Sequence, residues 1–144
     1  LLKRLAFLSV AILFLISLGV QFFGIRTLYL KKKGSQMLIE GLDSAGSDIV
    51  LTDIFWLPEE ASSIYFKKKF MSVNKRNSLE SAVRALKARG VDKFVLVLSK
   101  KYRRIDLNDM KKSMASLKII SGTDLKPPGM NFMEIHILLC EIRK

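Results

Sequence analysis

Residues 77–99, NSLESAVRALKARGVDKFVLVLS, contain a complete helix-to-strand transition. Leu79, Ala82, Val83 and Leu86 recur at i, i+3, i+4 and i+7, which places them on one face of a helix. Asn77 and Glu80 have the spacing of a capping box, with Asn in place of the usual Ser or Thr, so the helix is expected to start there. Gly90 stands where a C-terminal cap belongs. Lys93–Ser99, KFVLVLS, follows almost at once. Its apolar run is continuous, not alternating, which indicates burial on both faces and favours a parallel sheet.

The sequence on the N-terminal side has the same grammar. Asp48–Asp53, DIVLTD, reads as a buried strand between turn signals. Pro58 suits the first turn of a helix, and Glu59 and Glu60 suit its positive end. That helix is expected to run to about Phe66 and to bury Ala61, Ile64 and Tyr65. Phe70–Val73 reads as a short strand after the triplet Lys67, Lys68 and Lys69. On the C-terminal side, KKYRR (100–104) reads as a loop and Asp106–Leu117 as a helix with Met110, Met114 and Leu117 inward. Lys118–Ser121 reads as a short strand, GTDLKPPG (122–129) as a loop, and Asn131–Ile142 as a final strand. Strands alternating with helices indicate a small three-layer α/β, Rossmann-like domain over residues 47–144, with a mostly parallel sheet.

A different segment precedes this domain. Leu5–Phe23, LAFLSVAILFLISLGVQFF, has no charged residue and no polar face at helical spacing. At about 1.5 Å per residue it is long enough for a hydrocarbon core of roughly 30 Å. Residues 1–25 therefore read as a transmembrane helix. Lys3 and Arg4 before an apolar run also resemble a signal peptide, but the run exceeds the usual h-region and no A-x-A-like site follows it. It reads as a retained anchor or as the last helix of a larger membrane protein. Residues 26–46 read as a basic juxtamembrane linker broken at Gly34–Ser35, then a short helix over Gln36–Ser44 with Met37, Leu38 and Leu42 on one side. Arg26, Lys31, Lys32 and Lys33 are candidate contacts for anionic lipid. With Lys3 and Arg4 on the other flank, their local count leans towards a cytoplasmic domain.

The chain of 144 residues carries a formal net charge of +12, which favours an anionic neighbour. Membrane lipid fits better than nucleic acid, since no nucleic-acid module appears. Chemistry is sparsely marked. In open α/β sheets ligands sit outside the carboxyl ends of parallel strands. Asp53 ends the first strand, and Trp56, Glu59 and Glu60 follow it, so these four are the candidate substrate-binding residues. Asp53 can accept hydrogen bonds from a sugar or coordinate a cation, and Trp56 can stack on a sugar or rest at the membrane surface. The alternative is that Asp53 caps the turn and Trp56 packs beneath the loop. No G-x-G-x-x-G follows the first strand and no G-x-x-x-x-G-K-[ST] occurs. One His and one Cys, His136 and Cys140, cannot assemble the usual His/Cys zinc site. Four residues apart on one strand, they are also too distant for a dyad. His136 reads as a structural imidazole. No catalytic residue and no metal ligand is assigned.

The stretches DIVLTDIFWLPEEASSIYFKKKFMSV (48–73) and ALKARGVDKFVLVLS (85–99), behind a membrane helix and a basic linker, resemble the C-terminal end of multi-spanning GT-C-type glycosyltransferases, similar to the bacterial protein-mannosyltransferase-like enzymes. The resemblance implies a sugar donor linked to polyprenyl phosphate, further transmembrane helices upstream in the same protein, and an extracytoplasmic α/β domain at the bacterial inner membrane. The family's catalytic acid lies in an early loop that nothing here matches, so the resemblance implies a non-catalytic piece. The other reading is a complete single-pass membrane protein whose α/β domain binds a ligand or partner.

Overall fold

The computed structural model describes residues 2–100, 105, 117–130 and 134–143. Its first element is a single helix, α1 (Leu2–Asp43), of 42 residues and about 63 Å. The expected break at Gly34–Ser35 does not occur. Gly34 keeps helical geometry and gains a packing role. A Cβ there would collide with the backbone carbonyl of Pro128 and lie 3.2 Å from Pro127 Cβ. Glycine costs a helix about 1 kcal/mol relative to alanine, and the close approach of a turn offsets it.

That turn is Pro127–Met130, closed by the Met130 N–H donating to the Pro127 carbonyl at 3.3 Å. Pro128 supplies the fixed φ of its second position and Gly129, at φ +75°, the left-handed third, as a type II turn requires. Gly129 rests on the backbone of α1, where a Cβ would lie 2.6 Å from Leu30 C and Lys31 N. From Leu30 onwards α1 is part of the domain, with Leu38 and Leu42 fully buried. Before Leu30 it stands free, and its side chains from Phe7 to Tyr29 are largely exposed.

After Gly46, at φ +76°, the chain reverses into β1 (Ile49–Thr52). One turn of helix, α2 (Leu57–Glu60), and a 3-10 turn (Ser62–Ile64) lead to β2 (Lys69–Ser72). Then come α3 (Arg76–Ala88) and β3 (Lys93–Ser99). Strands β4 (Leu117–Leu125) and β5 (Ile135–Ile142) complete the described residues. The five strands form one sheet in the order β2-β1-β3-β5-β4. β2, β1 and β3 are parallel, whereas β5 is antiparallel to both β3 and β4.

The sheet is thus mixed, not mostly parallel. The continuous apolar run of β3 signals cover on both faces, and both faces are covered, but that does not fix the direction of β5. Leu51, Phe94, Leu96, Leu98, Leu138 and Cys140 meet α3 through Leu79, Ala82, Val83 and Leu86. Val50, Val95, Val97, Ile135 and Ile137 meet Leu38 and Leu42 of α1 and Leu57, Ala61 and Ile64 beyond β1. The result is three layers, helix on sheet on helix.

Other elements differ from expectation for local reasons. The helix after Pro58 lasts one turn, and Tyr65 is exposed, stacked on Phe70 with ring centroids 6.1 Å apart. Helix α3 starts one residue before Asn77, and the Ser78 hydroxyl accepts the Lys75 N–H at 3.1 Å. Its end is as expected: Gly90, at φ +72°, lets the Gly90 and Val91 N–H groups donate to the Lys87 and Leu86 carbonyls, a Schellman closure. Lys68 of the basic triplet is buried and donates to the Ser47 carbonyl at 2.8 Å.

Gly122–Leu125, expected in a loop, belongs to β4, which is irregular between Ile119 and Ser121. The extra residue reverses the alternation. Leu117 and Ile119 therefore pack on the α3 side while Leu125 packs on the α1 side. The expected helix at 106–117 lies outside the described residues, as do residues 101–104 and 131–133; of that helix only Leu117 is described, and it opens β4.

Gly34→Ala tests the docking of α1. On a free helix it stabilises by about 1 kcal/mol. Here the forced shift of the Pro127–Met130 turn costs about 1–3 kcal/mol, so a net loss is expected in denaturant unfolding of the detergent-solubilised chain.

Candidate functional site

The strand order reverses at β1, with β2 on one side and β3 on the other. The chain leaving β1 turns to the α1 face, where Ile54 and Leu57 are buried. Beyond β3, Ile105 is buried on the α3 face. The carboxyl ends of β1 and β3 thus flank a switch point, the position where open α/β sheets form a ligand crevice. Asp53 and Ser99 face each other there. The Asp53 carboxylate accepts the Ser99 N–H at 2.9 Å, and both residues are buried. Thr52, also buried, accepts the Ile54 N–H on its hydroxyl at 3.0 Å. Asp53 therefore joins the ends of two parallel strands where their backbone ladder stops.

The other three candidate residues turn elsewhere. Trp56 is half-buried against the α1-side core, in keeping with packing beneath the loop. Phe55 takes the outward position and is 80% exposed. Glu59 is exposed. Glu60 reaches α1, where its carboxylate accepts the Ser35 hydroxyl at 2.7 Å and lies 3.3 Å from Lys31 Nζ. The Ser35 hydrogen bond, with Lys31 adding to it, holds this carboxyl below the ordinary glutamate range. So Asp53 alone of the four is built into the crevice, and Glu60 ties α2 to α1. Of the candidate lipid contacts, Arg26, Lys32 and Lys33 are exposed, and Lys31 is exposed but paired with Glu60.

A further polar group lies along the same edge. Lys100 Nζ is 3.0 Å from Glu134 and 3.7 Å from Asp124, and Lys126 Nζ is 3.4 Å from Glu134. His136 Nδ1 contacts Asp124, its partner across the β4–β5 ladder. The lysines hold the Glu134 carboxyl below its ordinary range, and Glu134 in turn raises the Lys100 ammonium. The lysine pairs are solvent-exposed and contribute little to stability; the Lys100 N–H, donating to the Glu134 carbonyl at 2.8 Å, holds the amino end of β5 beside β3. The hairpin register is the signal that would have revealed this group. Cys140 lies in the core, and burial pushes its thiol up to about 12, which leaves it without thiolate reactivity. Among the described residues, no group of three or more His, Cys, Asp or Glu is placed to hold a metal ion.

Comparisons with models of protein families, with curated protein sequences and with solved structures each returned no match. The chemistry of the site rests on its own geometry. Among the described residues, that geometry offers one buried carboxylate with hydrogen-bond donors and acceptors at a strand end.

The Asp53 bridge can be separated from charge. Asp53→Ala leaves the buried Ser99 N–H without this acceptor and should destabilise the domain by about 1–3 kcal/mol. Asp53→Asn keeps an acceptor oxygen and should cost less. Unfolding curves followed by the fluorescence of Trp56 read both.

Proposed function

We propose that this chain is the terminal span and membrane-facing α/β domain of a GT-C-type membrane glycosyltransferase that uses a polyprenyl-phosphate-linked sugar, and that the chain itself is non-catalytic. The observation that carries the membrane part is α1. It is long and apolar enough to cross a membrane, with a mean hydropathy of 2.3 in its most apolar window and none of that window buried by the rest of the chain. Leaving so much apolar surface in water is unfavourable at about 25 cal/mol per Å², and a bilayer removes it. Its helix passes into the domain without a flexible linker. A site on that domain is therefore held at a fixed height above the lipid, which suits a substrate whose carrier stays in the membrane.

The glycosyltransferase assignment rests on the sequence resemblance, which implies an extracytoplasmic domain at the bacterial inner membrane. The second reading is a single-pass membrane-anchored α/β protein that binds a ligand or partner. It is favoured by the two-sided core, which the domain completes with its own helices.

Sugar transfer separates the two. Residues 1–144 reconstituted alone should transfer no sugar from a polyprenyl-phosphate donor. The full reading frame should transfer it, and removal of residues 47–144 should lower its turnover. A start codon immediately before Leu1, or transfer by residues 1–144 alone, would contradict the proposal.

A further inference from the structure

Among the described residues the sheet ends at β2. The parallel register with β1 decides which of its backbone groups face outward. The Lys69 N–H donates to the Asp48 carbonyl at 2.6 Å, and the Val73 N–H donates to the Thr52 carbonyl at 2.7 Å. In a parallel ladder alternate residues bond to the same neighbour. Lys69 and Met71 therefore turn their N–H and C=O groups to β1, and Phe70 and Ser72 turn theirs to the open edge. Such an edge is a template for a further strand.

The two faces beside that edge differ. On one, Phe70 packs on the α1-side core and Tyr65 is stacked on its ring. Phe66 meets Tyr65 edge to face, with ring centroids 6.3 Å apart, and is 99% exposed. On the other face, Lys69 and Met71 stand in register with Ile49 and Leu51, which pack on the α3 side. Lys69 and Met71 are both exposed, as is Lys67 in the turn before β2. Asp48 lies 3.9 Å from Lys68 Nζ, so Lys67 and Lys69 remain as a positive excess at this end of the strand.

We propose that β2 accepts a sixth strand, an extended segment of a partner protein in which apolar residues alternate with acidic ones. Its backbone pairs with the outward groups of Phe70 and Ser72. Its side chains alternate between faces, so the apolar ones lie on the side of Tyr65, Phe66 and Phe70 and the carboxylates on the side of Lys69. Charge selects this occupant over a second copy of the chain. Two copies joined at β2 bring lysines together on chains of net charge +12, whereas an acidic strand is attracted by the same field. A lipid surface supplies no backbone for the edge to pair with. The interface does not depend on α1 crossing a membrane.

The test uses residues 1–144 in neutral detergent and two fluorescein-labelled peptides, one alternating valine with glutamate and one alternating valine with lysine, read by anisotropy. The glutamate peptide should bind saturably, and the lysine peptide about fivefold more weakly or less. Methylating one alternate set of the glutamate peptide's backbone nitrogens should weaken binding about tenfold, because it removes the donors that meet the edge. Methylating the other set, which faces away, should not. Phe66→Ser should weaken the glutamate peptide about fivefold. Lys69→Glu should reverse the preference between the two peptides. Lys118→Glu, the same charge change at an exposed position of β4 on the far edge of the sheet, should leave the preference in place. Absence of saturable binding, indifference to both methylated sets, or an equal response to Lys69→Glu and Lys118→Glu overturns the proposal. Dimerisation of the chain alone that Phe66→Ser abolishes would give the edge to a second copy and overturn it as well.

Discussion

The contact between α1 and the Pro127–Met130 turn is the constraint on which the rest of the structure depends. Gly34 has no side chain to hold the turn away, and Gly129 adopts a positive φ that a larger residue resists. Two prolines stiffen the turn between them. On one side of this contact lies an apolar helix segment whose described side chains are largely exposed, and on the other lies the α1-side core. Glu60, bonded to Ser35 and paired with Lys31, closes the same junction from the other side. A side chain at Gly34 would move the turn and, with it, the ends of β4 and β5. The domain is thus built onto its helix and not hung from it.

Several features follow from that junction. Because β1 runs back along α1, the sheet's carboxyl edge points towards the apolar part of that helix. Because α1 covers one face of the sheet and α3 the other, β1, β3 and β5 are buried on both faces. The switch point at Asp53 and Ser99 owes its position to the reversal of strand order at β1. The antiparallel pair β4 and β5 extends the sheet on the far side and carries the turn that grips α1. One bulge in β4 gives both faces of that hairpin an apolar side.

The legible parts of the sequence were those where local signals and burial agree. The helix face of Leu79, Ala82, Val83 and Leu86, the cap at Gly90 and the strand Lys93–Ser99 could all be read directly. So could Asp53 as a strand-end residue. The illegible parts depend on partners distant in sequence. Gly34 looks like a helix breaker until Pro128 is placed beside it. Gly122–Leu125 looks like a loop because Gly122 and Asp124 are poor strand formers, and only pairing with β5 makes it a strand. Lys68 looks solvated until the Ser47 carbonyl meets it. Glu60 resembles a site residue by position, yet its partners lie on α1, in a segment that reads as a linker. Phe55 and Trp56 are adjacent, and no period in so short a loop indicates which of them turns outward.

One unbroken helix, α1, joins the long apolar segment to the sheet. Spin labels at Gln21→Cys and Glu40→Cys, both exposed positions, measure it directly in reconstituted vesicles. Cys140 is buried and will not compete for label. A continuous helix places the two backbone positions about 28 Å apart and gives a narrow distance distribution in pulsed electron paramagnetic resonance. A broad or clearly shorter distribution would mean a hinge between the apolar segment and the domain, and would contradict a continuous α1.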